Sequence, residues 1–152
     1  MVQLCCDSDP NNRASLSTII HKLSAQSPNG DIYYERGKKL EKQGKLAAAY
    51  GAYQRASQKD SFKAYTNMGF FHLQGVGDFH KDKKKAYELF LKGVAGGHPR
   101  AMFNAASILN KGCEGVPANP VEAKRLIKRA AELGDRDARA LLERSKSRGL
   151  KK

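Results

Sequence analysis

The stretch from Ala64 to Gly134 states one pattern twice. AYTNMGFFHLQG at 64–75 is answered by AMFNAASILNKG at 101–112, and DKKKAYELFLKGVAGG at 82–97 by NPVEAKRLIKRAAELG at 119–134. The offset is 37 residues throughout, without a gap. Ala64 falls on Ala101 and then Ala138, Gly75 on Gly112, Ala86 on Ala123, Phe90 on Ile127 and Gly97 on Gly134. A period of this length cannot close on itself within one unit. Each copy has too little apolar surface to form a core alone and must bury it against the next, which predicts a stack of helix pairs.

The local signals agree with helices. Asp82 stands four residues before Ala86, and Asn119, followed by Pro120, four before Ala123, both at N-cap positions. Pro99 opens the next inner helix, and Gly75 and Gly112 fall where the inner helices end. Upstream, Asp31 is placed to cap a helix over Ile32–Gln43 that Gly44 ends, and Pro28-Asn29-Gly30 reads as a turn. A second helix is expected from Lys45 to about Gln58, with Leu46, Ala49, Tyr50, Tyr53 and Ala56 on one side. The last helix is expected from Ala138 to about Ser147, a polar-faced cap that turns basic.

The pair Tyr33-x3-Gly37 and Ala49-x3-Tyr53-x2-Ala56 resembles a tetratricopeptide (TPR) unit, small residues sitting where two helices cross and aromatics filling the gaps. The two clear copies are longer, with the extra residues at Gly75-Val76-Gly77 and at Gly112-Cys113-Glu114-Gly115-Val116. That pattern is similar to the Sel-one-like repeat (SLR), a relative of TPR. The resemblance implies an all-α, right-handed α-solenoid of antiparallel helix pairs. It would comprise about three repeats (31–61, 62–98, 99–135) and a C-terminal cap over 136–150. Residues 1–30 are read as an N-terminal extension, mobile in part. Within it 14–25 has the pattern of a short capping helix, Leu16, Ile19, Ile20 and Leu23 sharing one face.

Composition bounds the function classes. At 152 residues, 40% hydrophobic and 28% charged, the chain suits one globular domain, and its apolar runs are too short for a transmembrane segment. Three cysteines, two adjacent at Cys5-Cys6, make no disulfide framework, so a reducing intracellular compartment is expected: cytosol, or mitochondrion for a subunit of an organellar complex. The four histidines and three cysteines show no metal-ligand spacing, and no phosphate-binding loop or nucleophile motif occurs. The expectation is a non-enzyme with no metal, cofactor or small-molecule substrate.

What remains is binding. In TPR-like arrays the first helix of each pair lines the concave face. There Lys63-x3-Asn67 recurs as Arg100-x3-Asn104, each pair one turn apart on one side of its helix. A cation beside an amide suits a carboxylate or an extended backbone and resembles the carboxylate clamp of certain TPR domains. Asp31 and Glu35 before, and Asp137 and Leu141 after, break the pattern. Tyr34, Phe70, Phe71 and Phe103 are candidate apolar contacts in the same groove, Phe70 foremost. The predicted partner is an acidic or extended protein segment.

The alternative partner is RNA within a large complex. With 28 Lys and Arg against 15 Asp and Glu, the net charge is +13. Lys124, Arg125, Lys128 and Arg129, with Arg144, Lys146 and Arg148, form a candidate phosphate-contacting edge, and Lys81, Lys83, Lys84 and Lys85 a separate cluster.

Overall fold

A computed structural model describes residues 28–149, with side chains over 29–148. Seven helices follow in order: α1 (Pro28–Lys42), α2 (Leu46–Ser57), α3 (Phe62–Gln74), α4 (Lys83–Ala95), α5 (Pro99–Lys111), α6 (Pro120–Glu132) and α7 (Arg136–Gly149). Among the described residues there is no β-strand, only an isolated bridge between Cys113 and Val116 inside the α5–α6 loop. Each helix packs on the next, and α3 also touches α5, so α1, α3, α5 and α7 form an inner row and α2, α4 and α6 an outer one. The fold is an all-α helical repeat solenoid. The segments read as mobile and as a short helix, 1–13 and 14–25, lie outside the described residues.

The repeat survives at the level of single hydrogen bonds. Asp82 Oδ1 accepts from the Lys85 N–H at 2.8 Å, and Asn119 Oδ1 from the Glu122 N–H at 3.0 Å, so both predicted caps form. Each long loop is clipped back to its inner helix by one backbone bond, Asp82 N–H to His72 O and Asn119 N–H to Leu109 O, both 2.8 Å. Each outer-to-inner turn closes the same way, Ser61 to Ala56, His98 to Gly93 and Asp135 to Ala130, at 3.1, 3.0 and 2.9 Å. The equivalent polar backbone groups find equivalent partners, as the burial of a stacked array demands.

Small residues set the crossings within a pair. A Cβ on Gly69 of α3 would lie 2.6 Å from the Phe90 ring of α4, and one on Gly37 of α1 2.5 Å from the Tyr53 ring of α2. In the third pair Ala106 and Ile127 take these two places. Phe71, Phe90 and Tyr53 are the largest fully buried side chains and anchor the core. Around Phe71, Tyr50 and Phe79 pack at 5.6 and 5.5 Å between ring centroids.

Two local expectations change. α1 starts at Pro28 rather than at Ile32, so Pro28-Asn29-Gly30 is its opening turn and Asp31 lies in the first turn instead of capping it. Proline suits that place because the first helical N–H has no intrahelical partner to lose, and Asp31 there still faces the positive end of the helix dipole. α7 runs Arg136–Gly149, longer than Ala138–Ser147, because Asp135 caps it: its Oδ1 accepts from the Ala138 N–H at 2.9 Å.

The first pair differs in its loop. Only 43–45 separate α1 from α2, against 75–82 and 112–119 in the later pairs, five residues fewer. The register of α1 is therefore offset from α3 by 32 residues, Gly37 matching Gly69.

Candidate protein-binding groove

Lys63, Asn67 and Phe70 stand at i, i+4 and i+7 on α3 and form one stripe of the inner row. Lys63 is exposed, Asn67 half-buried, and Phe70 is 43% exposed. Phe71, its neighbour in sequence, is 1% exposed and belongs to the core, so it offers nothing to a ligand. Phe103 is half-buried under Arg100, whose guanidinium carbon is 5.4 Å from the ring centroid.

Arg100 and Asn104 occupy the matching places on α5, with Asn104 half-buried. Arg100 is already engaged. It donates to Asp137 of α7 and lies 3.6 Å from Asp135 Oδ2. The Asp137 hydrogen bond is the first cause that raises the Arg100 pKa, and the same bond holds the Asp137 carboxyl below its ordinary value. The two cations of the repeated motif are therefore unequal: Lys63 has no ion pair among the described residues, whereas Arg100 has two acidic neighbours.

Beside Lys63, α1 brings the expected Tyr34 together with Lys38, Glu41 and Lys42, which the sequence pattern did not single out. Tyr34, Lys38, Glu41 and Lys42 with Asn67 line a cleft of about 420 Å³ between α1 and α3. Lys38 and Lys63 both approach the Tyr34 ring, at 5.6 and 6.0 Å from its centroid. Burial raises the Tyr34 hydroxyl pKa, and Lys38 and Asn67 hold that rise back. Tyr53 donates to Glu41 at 2.6 Å, and burial, then that bond, push its pKa well above the usual phenol range. The spacing of Tyr34, Lys38 and Lys42 along one helix face was the available signal.

On the outer row Lys124, Arg125, Lys128 and Arg129 are all exposed on α6. Arg125 forks onto Glu122 at 2.6 and 2.8 Å, and Arg129 reaches Glu132 at 3.4 Å. On α7 Lys146 pairs with Glu143 at 2.9 Å, while Arg144 and Arg148 are exposed without an ion pair among the described residues. The helices thus carry their own acids to offset the crowding of cations at i, i+4.

The described histidines have local partners or face water. His72 Nε2 is 3.0 Å from the Tyr50 hydroxyl, His98 Nδ1 is 2.8 Å from Thr66 Oγ1, and His80 is exposed. Among the described residues, no helix is long and apolar enough to cross a membrane.

The Sel1 repeat family profile matches residues 62–98 and 99–135, the two copies of the 37-residue unit. The chain is an SLR/TPR-like repeat protein. Its fold is similar to the crystal structure of a Sel1 repeat protein from Oxalobacter formigenes, with a TM-score of 0.65 and 25% identity over 72% of this chain and 45% of that one. It is also similar to a protective antigen of uropathogenic Escherichia coli that displays an SLR fold. There the TM-score is 0.60 and the identity 25%, over 68% of this chain and 22% of the other. In sequence it is 34% identical over 82 residues to chitin synthase regulatory factor 3 of Schizosaccharomyces pombe, 54% of this chain and 9% of that protein. The SLR/TPR-like chain thus spans under half of each of these relatives. Sel1 repeats are in general protein–protein interaction modules, and the chain is read as one.

Proposed function

We propose that this SLR/TPR-like chain is a non-catalytic adaptor or assembly subunit that holds an acidic or extended protein segment along its inner row. The observation that carries the reading is the open stripe Lys63–Asn67–Phe70, continuous with the Tyr34 and Lys38 cleft. It offers a cation without an ion pair, an amide and an exposed ring at helical spacing. The cation supplies charge-assisted donors, the amide both donor and acceptor, and the ring apolar area. Arg100 and Asn104 extend the contact, with Arg100 exchanging Asp137 for the ligand's carboxylate. A regulatory factor among the relatives fits such a role.

RNA is the less favoured ligand. Three of the seven candidate cations, Arg125, Arg129 and Lys146, are engaged by acids of their own helices, which leaves Lys124, Lys128, Arg144 and Arg148. The test uses two probes on the full chain, a fluorescent acidic peptide and a random single-stranded RNA, each titrated with salt. Groove binding predicts that the pair Lys63→Ala and Asn67→Ala abolishes peptide binding while Lys124→Ala with Lys128→Ala leaves it. Sub-micromolar RNA binding that falls steeply with salt and is lost in the α6 pair would replace this reading with the RNA one.

A further inference from the structure

Tyr50 of α2 and Tyr87 of α4 hold the same place one repeat apart, in different surroundings. Tyr50 is 8% exposed. Phe79, from the loop after α3, packs on it with ring centroids 4.4 Å apart, and His72 Nε2 lies 3.0 Å from its hydroxyl. Thirty-seven residues on, Phe79 is replaced by Val116 and His72 by Leu109. The Tyr87 hydroxyl loses the imidazole, and among the described residues no aromatic ring packs on Tyr87, which is half-buried. At the place equivalent to the Phe79 ring there is a recess of about 300 Å³, lined by Tyr87, Leu91, Leu109, Val116 and Pro117 among others. Leu91 is 41% exposed on it, where the earlier repeat has Gln54.

The loop side of the recess is fixed. Cys113 and Val116 exchange both backbone N–H···O bonds at 2.9 Å, and the Asn119 N–H is held by Leu109 O. A side chain entering here meets a formed surface and does not have to order it. Next to it lies a more polar cleft of about 880 Å³, lined by both inner-to-outer loops. Lys84 and Gly115 line the two cavities, so they are continuous. Lys81 and Lys83 line the cleft as well, and with Lys84 they are exposed and without an ion pair among the described residues. Two acids share that cleft, Asp82 and Glu114, and Asp82 already gives Oδ1 to the α4 cap. Glu88 lines the recess.

We infer that this edge is a second docking surface, for a segment of another protein in which an aromatic side chain lies beside acidic residues. The ring fills the recess over Tyr87 as Phe79 fills its counterpart over Tyr50, and the acids meet Lys81, Lys83 and Lys84. The preceding repeat thus supplies the template for the ligand. Residues 1–27 and 150–152 contain no Phe, Tyr or Trp and cannot supply the ring. The loops follow the C-terminal ends of α3 and α5, whereas Lys63 and Arg100 stand at their N-terminal ends, about 18 Å away along each helix. The inference is therefore independent of what the inner groove binds.

The test titrates two fluorescent peptides into the full chain carrying Lys63→Ala and Asn67→Ala, which removes the Lys63 stripe. One peptide has a single phenylalanine among aspartates, and the other has alanine in its place. Docking predicts that the phenylalanine peptide binds about tenfold tighter, the effect of burying one ring. Leu91→Asp, at an exposed position, should erase that preference, and Lys81→Ala with Lys84→Ala should weaken both peptides. Val116→Phe, which restores the ring of the earlier repeat from within the chain, should erase the preference too. Circular dichroism melts check that each variant folds, and Leu91→Asp decides the matter if Val116→Phe does not. Failure of either peptide to bind, equal affinities for the two, or a preference that survives Leu91→Asp overturns the inference. So does a dimer, seen by light scattering without peptide, that Leu91→Asp dissociates, since a second copy is then the occupant.

Discussion

Arg100 of α5 donates to Asp137 of α7, the residue that occupies its own place one repeat later, at a separation of 37. The inner row is thus stitched by residues of equivalent register, and the stitch consumes a cation that the groove would otherwise present. Asp137→Asn should release Arg100 toward solvent and raise affinity for an acidic peptide about threefold, a surface-charge effect that 0.5 M salt should erase. Its Tm should barely move, since both side chains are about half exposed. Fluorescence titration of wild type and variant at two salt concentrations reads this directly. The sign with pH is fixed as well. The pair lowers the Asp137 pKa from 3.8, so its contribution is complete above that value and is lost as pH falls through the lower, folded one.

Gly69 and Phe90 make a prediction about repeat geometry. A methyl group on Gly69 would enter the Phe90 ring at 2.6 Å, so Gly69→Ala should cost about 1–3 kcal/mol despite alanine's better helix propensity. Phe90→Ile alone leaves a void and should cost about 1–2 kcal/mol. Together they recreate the Ala106 and Ile127 pairing of the next unit, and the double variant should be more stable than the sum of the singles implies. Urea denaturation of the four proteins measures the coupling, and strict additivity would show that the two pairs are packed differently.

The fold was legible because the period carries its own checks: caps at the matching places Asp82 and Asn119, glycines at both loop starts, and a small residue facing a large one in each pair. Much of the groove was legible for the same reason, since a constant offset places Lys63 and Arg100 on one row. Three things were not. A period finds equivalent residues but does not say that they touch, so the Arg100–Asp137 contact stayed hidden in what looked like a broken pattern. Tyr34 reads as an apolar contact, but Lys38 and Glu41 of its cleft were missed because the repeat gives them no charged counterpart: shifted by 32 residues they fall on Phe70 and Leu73. Phe70 and Phe71 differ by one residue in sequence but by about 100° around a helix, enough to put one in water and the other in the core.

Asp135 joins two structural tasks in one carboxylate: Oδ1 caps α7 and Oδ2 faces Arg100. It is 9% exposed, unlike the solvent-facing cap Asp82. Asp82→Ala should cost about 0.5–1 kcal/mol and Asp135→Ala about 1–2 kcal/mol, because a buried cap cannot be replaced by water. Asp135→Asn keeps an acceptor for the Ala138 N–H and should recover most of that loss. Denaturation curves for the three variants rank the effects, and equal losses for the two alanines would mean that α7 frays without reference to its cap.

The buried pair Tyr50 and His72 sets the pH response on the acid side of neutrality. Burial is the first cause that lowers the His72 pKa from 6.5, with Lys85 adding to it and Asp82 opposing, and His98 is lowered too, by burial and then by Lys63. A histidine with a depressed folded pKa is neutral in the native state while the unfolded chain takes up the proton. Its stabilising contribution is therefore full above pH 6.5 and is lost as pH falls through the folded value. The chain should melt at a lower temperature at pH 5.5 than at pH 7.5. His72→Gln should flatten part of that slope, the remainder belonging to His98. Tyr50→Phe removes the hydroxyl at 3.0 Å and leaves a buried ring nitrogen without its partner, at a cost of about 1–2 kcal/mol at pH 7.5. Calorimetry at the two pH values checks both statements. A steeper slope in His72→Gln would show instead that protonated His72 stabilises the fold.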